Sequence, residues 1–479
     1  MKFFALNTSA YGDSWVEIEI NLIPGLPRFS IIGLPDTALK EGILRIKSAL
    51  LAYGFEWPKN KEVIINLKPI NSKKWNQNIE LAILICFLHV TQQIKLKSSF
   101  NDDDSLLVLG DLNLMGQTTL SKDICARTFT NWKGKILTGC VLEPVLFDRY
   151  VIEHIGQLKN ATLSFHKKTS LHEIINRPPS AHFLWTQEEA RLISLLALGS
   201  FSALLAGVKG AGKTTLVKEV WRLLPAPNAH EFEEIGMQSQ QCPVWRPLVF
   251  PHHTMPRVSL IGGGVPLKMG EVGRAHGGIM VLDEFLEFKK ESIEVLREAM
   301  QSEEVEVSRL GQTHKFKTRF QALATTNLCP CGKWSGQEGH FVNCSRSLMT
   351  CKSYINRMIG PVMDRFHILW LKPYRTRGDA QTICSDDILR GLEEVRGWRA
   401  QRPWGDRACN KLLVSEVQGL LTKRWLKDIY VFEGQSERRQ QAFWQVARAL
   451  ADLDMVERIG ETHIREAYKW TCLDFGALL

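Results

Sequence analysis

A glycine-rich segment at residues 207–214, GVKGAGKT, has the composition and spacing of a phosphate-binding loop. Its glycines allow the backbone to curl so that several N–H groups converge on an anion. Lys213 adds a cation for the β- and γ-phosphates of a nucleoside triphosphate, and Thr214 offers a hydroxyl to Mg²⁺. The apolar run FSALLAG precedes the loop and KTTLVKEVWRLL follows it, which predicts the strand–loop–helix context of this motif. The predicted nucleotide-binding residues are Gly207, Val208, Lys209, Gly210, Ala211, Gly212, Lys213, Thr214 and Thr215.

Polar side chains follow two other buried strands. Asp283 and Glu284 come directly after IMVL, and Asn327 ends the run FQALATTN. At the carboxyl edge of a parallel sheet, where ligands of α/β proteins bind, Asp283 would hold Mg²⁺ and Glu284 would polarise an attacking water. Asn327 would orient that water or touch the γ-phosphate. The alternatives are a solvated acidic turn and a turn-forming asparagine before Pro330.

Several arginines follow these motifs. Phosphoryl transfer gains from a cation on the γ-phosphate, and this cation often comes from a neighbouring subunit. Arg365, in GPVMDRFHILWL, is the candidate, and Arg357 is a rival. Arg438 and Arg439, at the start of a predicted helix, are further candidates to reach the phosphates. The alternative for each of them is a surface arginine.

Four of the eleven cysteines lie between residues 329 and 351: Cys329, Cys331, Cys344 and Cys351. Four thiolates would close a tetrahedral, structural zinc site that pins a long loop, with His340 able to replace one ligand. The spacing is irregular, so free or partly buried thiols remain the alternative.

Two further segments carry candidate contacts. Residues 251–254, PHHT, precede three glycines at 262–264; adjacent residues of a strand point to opposite faces, so a metal site is disfavoured and the glycines indicate a mobile loop. A predicted hairpin at 304–320 would place cations against DNA in a pore, with a solvated edge hairpin as the alternative. Its basic residues are Arg309, His314, Lys315, Lys317 and Arg319.

Length and composition place these motifs in a multidomain chain. A chain of 479 residues exceeds what one hydrophobic core supports. The net charge of +9 is compatible with nucleic acid but does not identify it. No apolar run reaches the ~18 residues of a membrane span. We therefore expect a cytoplasmic protein with reduced thiols and no membrane partner.

The pattern of apolar runs predicts an α/β protein in three parts. Residues 1–165 alternate strands (16–24 and 62–70) with helices (36–54 and 78–90), as in an α+β domain. Residues 166–184 form a linker. Residues 185–375 form the nucleotide-binding core, with the cysteine segment 329–351 as an insertion, and residues 376–479 form a separate helical domain, with helices over 384–398, 410–426 and 440–453.

Beyond these single motifs, six segments in this order resemble the ComM/YifB proteins, which are magnesium-chelatase-like AAA+ ATPases of bacteria. The segments are FSIIGLPDTALKEG (29–42), RPLVFPHHT (246–254), LIGGG (260–264), GEVGRAHGGIMVLDEFLEFK (270–289), LATTNLCPCG (323–332) and GPVMDRFHI (360–368). The resemblance implies a Lon-protease-like N-terminal domain without proteolysis, an AAA+ P-loop core and a C-terminal helical lid. It also implies hexameric rings that bind ATP and Mg²⁺ between subunits.

The resemblance assigns roles to the candidate residues. Residues 207–214 would be Walker A, Asp283 and Glu284 Walker B, and Asn327 sensor 1. Arg365 would be the arginine finger and Arg438 the sensor 2 residue. ComM proteins are associated with competence and natural transformation, in which they resemble helicases that drive branch migration of incoming DNA. The hairpin and the PHHT and glycine segments would then line the pore.

The chain also departs from the family pattern. Val208 and Lys209 replace two prolines in G-P-P-G-x-G-K-T, and Val249 stands where an arginine is expected. Residues 436–439, SERR, replace S-A-R-A, and the second cysteine pair is widely spaced. We expect an ATP-hydrolysing DNA motor. The alternatives are a chelatase-type ATPase that remodels a protein or inserts a metal without DNA translocation, and a nucleotide-gated DNA-binding scaffold, which Glu284 argues against.

Overall fold

The computed structural model describes the chain except at residues 10–11, 34, 36, 70–77, 97–104, 130, 161–162, 240–241, 265–267, 310–311, 334–345, 357–362, 373–381, 406, 424–434 and 474–479. The described residues divide into two compact units. Unit 1 contains residues 1–176 and 228–244, and unit 2 contains residues 177–227 and 245–479. The chain therefore passes from one unit to the other three times.

The first 176 residues contain ten strands and four helices within the described ranges. In chain order they are β1 (Lys2–Ser9), β2 (Gly12–Pro24), β3 (Phe29–Ile32), α1 (Thr37–Ala52), β4 (Lys61–Lys68), α2 (Glu80–Val90), β5 (Ser105–Leu109), β6 (Asp111–Leu112), β7 (Thr118–Thr119), α3 (Lys122–Cys125), β8 (Lys135–Thr138), β9 (Arg149–Val151), β10 (Ser164–His166) and α4 (Leu171–Ile174).

The remaining elements follow in chain order. They are β11 (Leu184–Thr186), α5 (Gln187–Gly199), β12 (Ala203–Ala206), α6 (Lys213–Leu223), α7 (Ala229–Ser239), β13 (Leu248–Val249), α8 (Arg257–Ile261), β14 (Gly262–Gly263), β15 (Lys268–Met269), α9 (Glu271–Arg274), β16 (Ile279–Leu282), α10 (Lys290–Ser302), β17 (Glu304–Arg309), β18 (Gln312–Lys317), β19 (Gln321–Thr326), α11 (Leu348–Ile355), β20 (Ile368–Leu371), β21 (Thr382–Cys384), α12 (Ser385–Ala400), α13 (Val414–Gln418), α14 (Glu437–Leu453) and α15 (Glu461–Thr471).

Unit 1 is built on a mixed sheet. Among the described residues its strand order is β10-β9-β8-β5-β1-β2-β4-β3. The pairs β1–β2 and β2–β4 are antiparallel, whereas β5 is parallel to both β1 and β8. Helix α2 is apolar all round, and residues 81–88 are buried in the core under this sheet. A helix that is apolar on every side needs such full burial, which explains its place at the centre of the unit.

Unit 2 is built on a parallel sheet with the strand order β13-β16-β19-β12-β20. Its strands are apolar on both faces because both faces are covered. Leu205, Val281 and Leu323 belong to one hydrophobic cluster, together with residues of α5 and α6. The alternate residues, such as Leu204 and Met280, belong to a second cluster with residues of α10. The chain is thus an α/β protein, as the sequence predicts.

The helices after residue 384 share the first of these clusters. Ile388 of α12, Trp444 of α14 and Trp470 of α15 are buried in the same cluster as Leu192 of α5. A boundary near residue 376 remains a prediction, because the described residues on both sides of it belong to one compact unit. The predicted helix over 410–426 is wrong in part: a 3₁₀ turn at Cys409–Lys411 and the short α13 replace it, and residues 424–426 lie outside the described residues.

None of the helices in the described part of the chain combines the length and the apolar character that a membrane crossing requires.

Candidate nucleotide-binding and hydrolysis site

The parallel sheet of unit 2 brings three of the predicted motifs to one edge. Ala206, the last residue of β12, is paired with Thr326, the last of β19, and Leu282, the last of β16, is paired with Ala324. The glycine loop, the acidic pair and Asn327 leave the sheet directly after these residues. Because the strands are parallel, all three segments emerge at the carboxyl edge, where the ligands of open α/β sheets bind.

The glycine loop between β12 and α6 has the backbone shape that an anion site needs. The N–H of Ala211 donates to the carbonyl of Val208 (3.4 Å), and Gly210 between them has a φ of +78°. Gly212, with a φ of +82°, then precedes the first residue of α6. A side chain would strain both of these left-handed positions. The first N–H groups of α6 have no partner within the helix, so they face the loop and favour a bound phosphate.

Lys213 closes the loop from inside. Its ammonium donates to the carbonyls of Gly207 (3.0 Å) and Val208 (2.9 Å) and to Oδ1 of Asn327 (3.3 Å). The side chain is buried, and this burial lowers the pKa of Lys213 to about 8, although the nearby Asp283 carboxylate favours the charged form. The structure therefore joins two predicted motifs, the loop lysine and Asn327, in one hydrogen-bonded group.

The two acids after β16 have different environments. Asp283 accepts a hydrogen bond from the hydroxyl of Thr325, a buried residue of β19 that the sequence reasoning missed. Glu284 has a φ of +53° and a half-exposed side chain, with Oε2 3.8 Å from Nδ1 of His253. The carboxylate of Asp283 is thus hydrogen-bonded to the sheet, whereas the half-exposed carboxylate of Glu284 lies 3.8 Å from His253.

The histidine pair lies in a turn rather than in a strand. The rings of His252 and His253 stack with their centroids 4.3 Å apart, and Nδ1 of His252 lies 2.8 Å from the hydroxyl of Thr254. The expectation that the two rings point to opposite faces is therefore wrong, because it assumed extended backbone. Only His253 approaches the acidic pair, through Glu284.

The far end of α6 is held by three arginines from separate segments. Arg177, Arg396 and Arg246 donate to the backbone carbonyls of residues 222–225 over 2.7–3.2 Å. The last carbonyls of a helix have no partner within it, and cations stabilise its negative end. These arginines fix the helix whose other end carries Lys213. Sequence reasoning could not find them, because they lie far apart along the chain.

Arg365 lies at the opposite edge of the sheet. It ends a 3₁₀ turn, Met363–Arg365, three residues before Ile368, which pairs with Ala203 at the amino end of β12. Its Nη2 donates to Oε1 of Gln301 (2.7 Å), while Nε and Nη1 are buried with no hydrogen-bond partner among the described residues. The rival Arg357 lies outside the described residues.

Comparison with known proteins places this site in a family. Two models of the magnesium chelatase subunit ChlI match the chain, one over residues 183–377 and one over residues 18–136. YifB of Salmonella typhimurium is 26% identical and YifB of Escherichia coli is 27% identical, each over 96% of this chain and 94% of its own length. The competence protein ComM of Haemophilus influenzae is 28% identical over 94% of this chain and 93% of its own length.

The chain belongs to the ComM/YifB family. Membership indicates a magnesium-chelatase-like AAA+ ATPase that uses ATP and Mg²⁺. The residues at the carboxyl edge suit both groups in their chemistry. The N–H groups at the start of α6 and the ammonium of Lys213 would bind phosphates, and the carboxylate of Asp283 and the hydroxyl of Thr214 would supply the oxygen ligands that Mg²⁺ prefers.

Lys209 connects the glycine loop to another segment of unit 2. Its backbone N–H donates to the carbonyl of Gly332 (2.8 Å), which ties the nucleotide loop to the C-P-C-G turn. A proline at position 209 would have no N–H to donate. A Cβ on Gly332 would lie 2.8 Å from Cβ of Lys209, so the contact also requires glycine at that position.

The cysteines of this turn pack in the apolar core of unit 2. Cys329 and Cys351 are fully buried, and the Sγ atoms of Cys329 and Cys331 are 3.0 Å apart. Among the described residues, no group of three or more histidine, cysteine, aspartate or glutamate side chains is arranged to hold a metal ion. Cys344 and His340 lie outside the described residues, so the zinc site stays a prediction.

The predicted hairpin exists as β17 and β18, and two of its acids lie near one of its cations. Lys315 lies 3.2 Å from Glu304 and 4.0 Å from Glu306 across the hairpin. His314 is buried rather than presented to solvent. The tip at residues 310–311 lies outside the described residues. The described part of this hairpin therefore carries charges of both signs, and a contact of its cations with DNA stays a prediction.

The two arginines at the start of α14 have different positions. Arg438 is exposed, whereas Arg439 is 4% exposed and donates to the carbonyls of Phe366 (2.8 Å) and Met363 (2.7 Å). These carbonyls belong to the turn that carries Arg365. Arg439 therefore binds the turn that carries Arg365 rather than the glycine loop.

Proposed function

We propose that this chain is an ATP-hydrolysing motor that acts on DNA as a ring of subunits and promotes branch migration. The observation that carries the proposal is the distribution of charged groups on the sheet of unit 2. Lys213, Asp283, Glu284 and Asn327 lie at the carboxyl edge. Arg365 lies at the amino edge with two nitrogens that have no hydrogen-bond partner within the described part of the chain. The residues at the carboxyl edge bind and hydrolyse ATP, and Arg365 contributes to the ATP site of a neighbouring subunit.

Within one subunit, different residues bind the phosphates, orient the attacking water and accept its proton. The N–H groups at the start of α6 and the ammonium of Lys213 bind the phosphates. Lys213 releases the carbonyls of its own loop when phosphate oxygens replace them. Asn327, which already contacts Lys213, orients the attacking water, and Glu284 accepts its proton. Mg²⁺ supplies charge neutralisation of the phosphates when Asp283 and Thr214 hold it.

The position of Arg365 requires a second subunit if it acts on ATP. Strand β20 has four residues and spans about 13 Å, and Arg365 lies before its amino end. The phosphate loop follows β12 at the other end of the sheet, so Arg365 cannot reach the phosphates of its own subunit. A buried guanidinium with unpaired nitrogens costs stability unless an anion completes it. The γ-phosphate of ATP in a neighbouring subunit of a hexameric ring is such an anion.

The rest of the domain assignment is part of the same proposal. Unit 1 would be a Lon-protease-like domain without proteolysis, and the helices α12–α15 would act as the lid. Residues 71–77, where the glycine-containing loop of such proteases is replaced, lie outside the described residues. Arg438 would be the sensor 2 residue, and its exposure leaves it accessible to a neighbouring subunit.

The proposal that the motor acts on DNA rests on the relatives and on the net charge. One relative over nearly the full length is named a competence protein, and the formal charge is +9. A protein partner without DNA translocation is the second candidate. The pairing of Lys315 with Glu304 on the β17–β18 hairpin and the match to a magnesium chelatase subunit favour it.

One experiment separates the two candidates. The ATPase rate is measured without DNA, with single-stranded DNA and with a branched four-way substrate, alongside Glu284→Gln. The proposal expects stimulation by DNA in the wild type, movement of the branch point, and loss of both in the variant. Hydrolysis that DNA does not stimulate, with no branch movement, would favour the protein-remodelling function instead.

A further inference from the structure

Helix α14 is tied to the turn that carries Arg365 by one buried side chain. Arg439 donates through Nη1 to the carbonyl of Phe366 (2.8 Å) and through Nη2 to that of Met363 (2.7 Å). These two carbonyls lie on either side of Arg365 in sequence. The planar guanidinium holds two acceptors in one fixed geometry, whereas the donors of an ammonium have no such fixed fork.

The same turn is held from two other directions. Arg365 itself donates to Gln301 on α10, the helix that follows the acidic pair. Ile368, just after the turn, donates its N–H to the carbonyl of Ser202 and so begins the pairing of β20 with β12. With Arg439 added, the turn is fixed by the sheet, by α10 and by the helical region.

We propose that Arg439 is a positioning residue for Arg365: it fixes the backbone turn so that the Arg365 guanidinium is presented in one geometry to the ATP site of a neighbouring subunit. This inference rests on the proposed function, in which Arg365 acts between subunits. It also gives the helical region a direct mechanical link to hydrolysis, because any shift of α14 moves the two carbonyls that Arg439 holds.

Helix α14 is also held by contacts that do not involve the Arg439 side chain. Ser436 caps the helix by accepting a hydrogen bond from the N–H of Arg439, which any residue at that position can donate. Farther along, Arg448 is fully buried and holds Asp452 and the carbonyls of Val456 and Glu457. These contacts do not involve the Arg439 side chain, so its substitution tests the turn that Arg439 holds.

A double-mutant cycle tests the inference in the full-length protein. Steady-state kcat and KM for ATP are measured for Arg365→Ala, Arg439→Ala and the double variant. Loss of an arginine finger lowers kcat by about 10³–10⁵-fold, and misplacing a catalytic group by 1 Å costs about 10²-fold. We expect Arg439→Ala to lower kcat by about 10²-fold with KM changed less than twofold, and to have no further effect in the Arg365→Ala background.

Two variants serve as references. Arg439→Lys keeps the charge without the fork and should recover only part of kcat. Arg402→Ala removes another arginine that binds a carbonyl, that of Trp398, far from the turn, and should keep kcat within twofold. Amide hydrogen exchange of residues 363–368 should rise in Arg439→Ala and stay unchanged in Arg402→Ala, whatever the ATPase rate.

The outcomes that overturn the inference are specific. They are additive losses in the double variant, a full kcat in a folded Arg439→Ala, or unchanged exchange at residues 363–368. If the wild type hydrolyses ATP and Arg365→Ala keeps its kcat, Arg365 is not the finger and the inference falls while the ATPase function stands. If the wild type does not hydrolyse ATP at all, the proposed function itself fails.

Discussion

The hydrogen bond from Thr325 to Asp283 predicts how this protein depends on Mg²⁺. Thr325 is 2% exposed and lies on β19, and its hydroxyl donates to the carboxylate proposed to hold the metal. Thr325→Val has nearly the same shape and removes only this donor. The carboxylate then loses the partner that orients it, while the apolar packing of the strand is kept.

The expected size follows from the charge of the acceptor. A hydrogen bond to a charged group contributes about 1.5–3 kcal/mol, and losing a partner that orients a metal ligand costs about 10- to 100-fold in metal affinity. Asp283 faces solvent, which can replace part of the lost bond, so we expect the lower end of that range. The free Mg²⁺ concentration for half-maximal ATPase activity should rise about tenfold, and kcat at saturating Mg²⁺ should recover.

The assay is a Mg²⁺ titration of ATPase activity at fixed ATP. Thr326→Val is the matched control: Thr326 is the next residue of the same strand, is 1% exposed, and donates to the carbonyl of Asn327 rather than to a carboxylate. Its Mg²⁺ dependence should match the wild type. If both variants shift the titration equally, or if neither shifts it, the assignment of Asp283 to the metal is wrong.

Three other predictions concern the same unit. Glu284→Gln should keep ATP binding within a few-fold and lower kcat by about 10²–10⁴-fold, as measured by equilibrium binding and steady-state hydrolysis; a variant that loses binding instead would contradict the role of Glu284 as a base. Burial lowers the pKa of Lys213 to about 8, so its ammonium is lost as the pH rises above that value. The dissociation constant of ATP should then rise above pH 8 by up to about tenfold per pH unit, and a flat profile to pH 9.5 would exclude this linkage. Asp452→Asn leaves the buried guanidinium groups of Arg399 and Arg448 without their shared carboxylate. The free energy of unfolding, measured in urea, should fall by about 3–5 kcal/mol. A fall of less than about 1 kcal/mol would mean that the backbone carbonyls alone satisfy both arginines.

The sequence was sufficient to predict the parts of the molecule that depend on local pattern. The strands expected at 16–24 and 62–70 are found as β2 and β4, and the helix expected at 78–90 is α2. Gly207, Asp283 and Asn327, which directly follow three buried strands, meet at one edge because parallel strands place their carboxyl ends together. That rule is general, so no tertiary information was needed.

The parts that the sequence did not predict depend on contacts between distant segments. The hydroxyl of Thr325 reaches Asp283 only because β16 and β19 are neighbours in the sheet. The predicted helix over 410–426 is interrupted because Leu421 pairs with Ile459 instead of continuing a helix. The spacing of apolar residues within one segment does not predict which distant residues that segment will pair with.

The passage of the chain between the two units constrains how the protein can be dissected. Helix α6 begins at the nucleotide loop, and the next helix, α7, belongs to the other unit, where Glu233 accepts hydrogen bonds from Thr128. No single cut yields both units intact: a fragment ending at residue 176 lacks its own helix, and a fragment starting at residue 177 keeps that helix without its partners. Independent expression requires residues 228–244 to be removed from one fragment and joined to the other, with a short linker closing the gap. An ATPase fragment made by simple truncation would carry the exposed face of α7, including Phe232, and its aggregation would say nothing about the stability of unit 2.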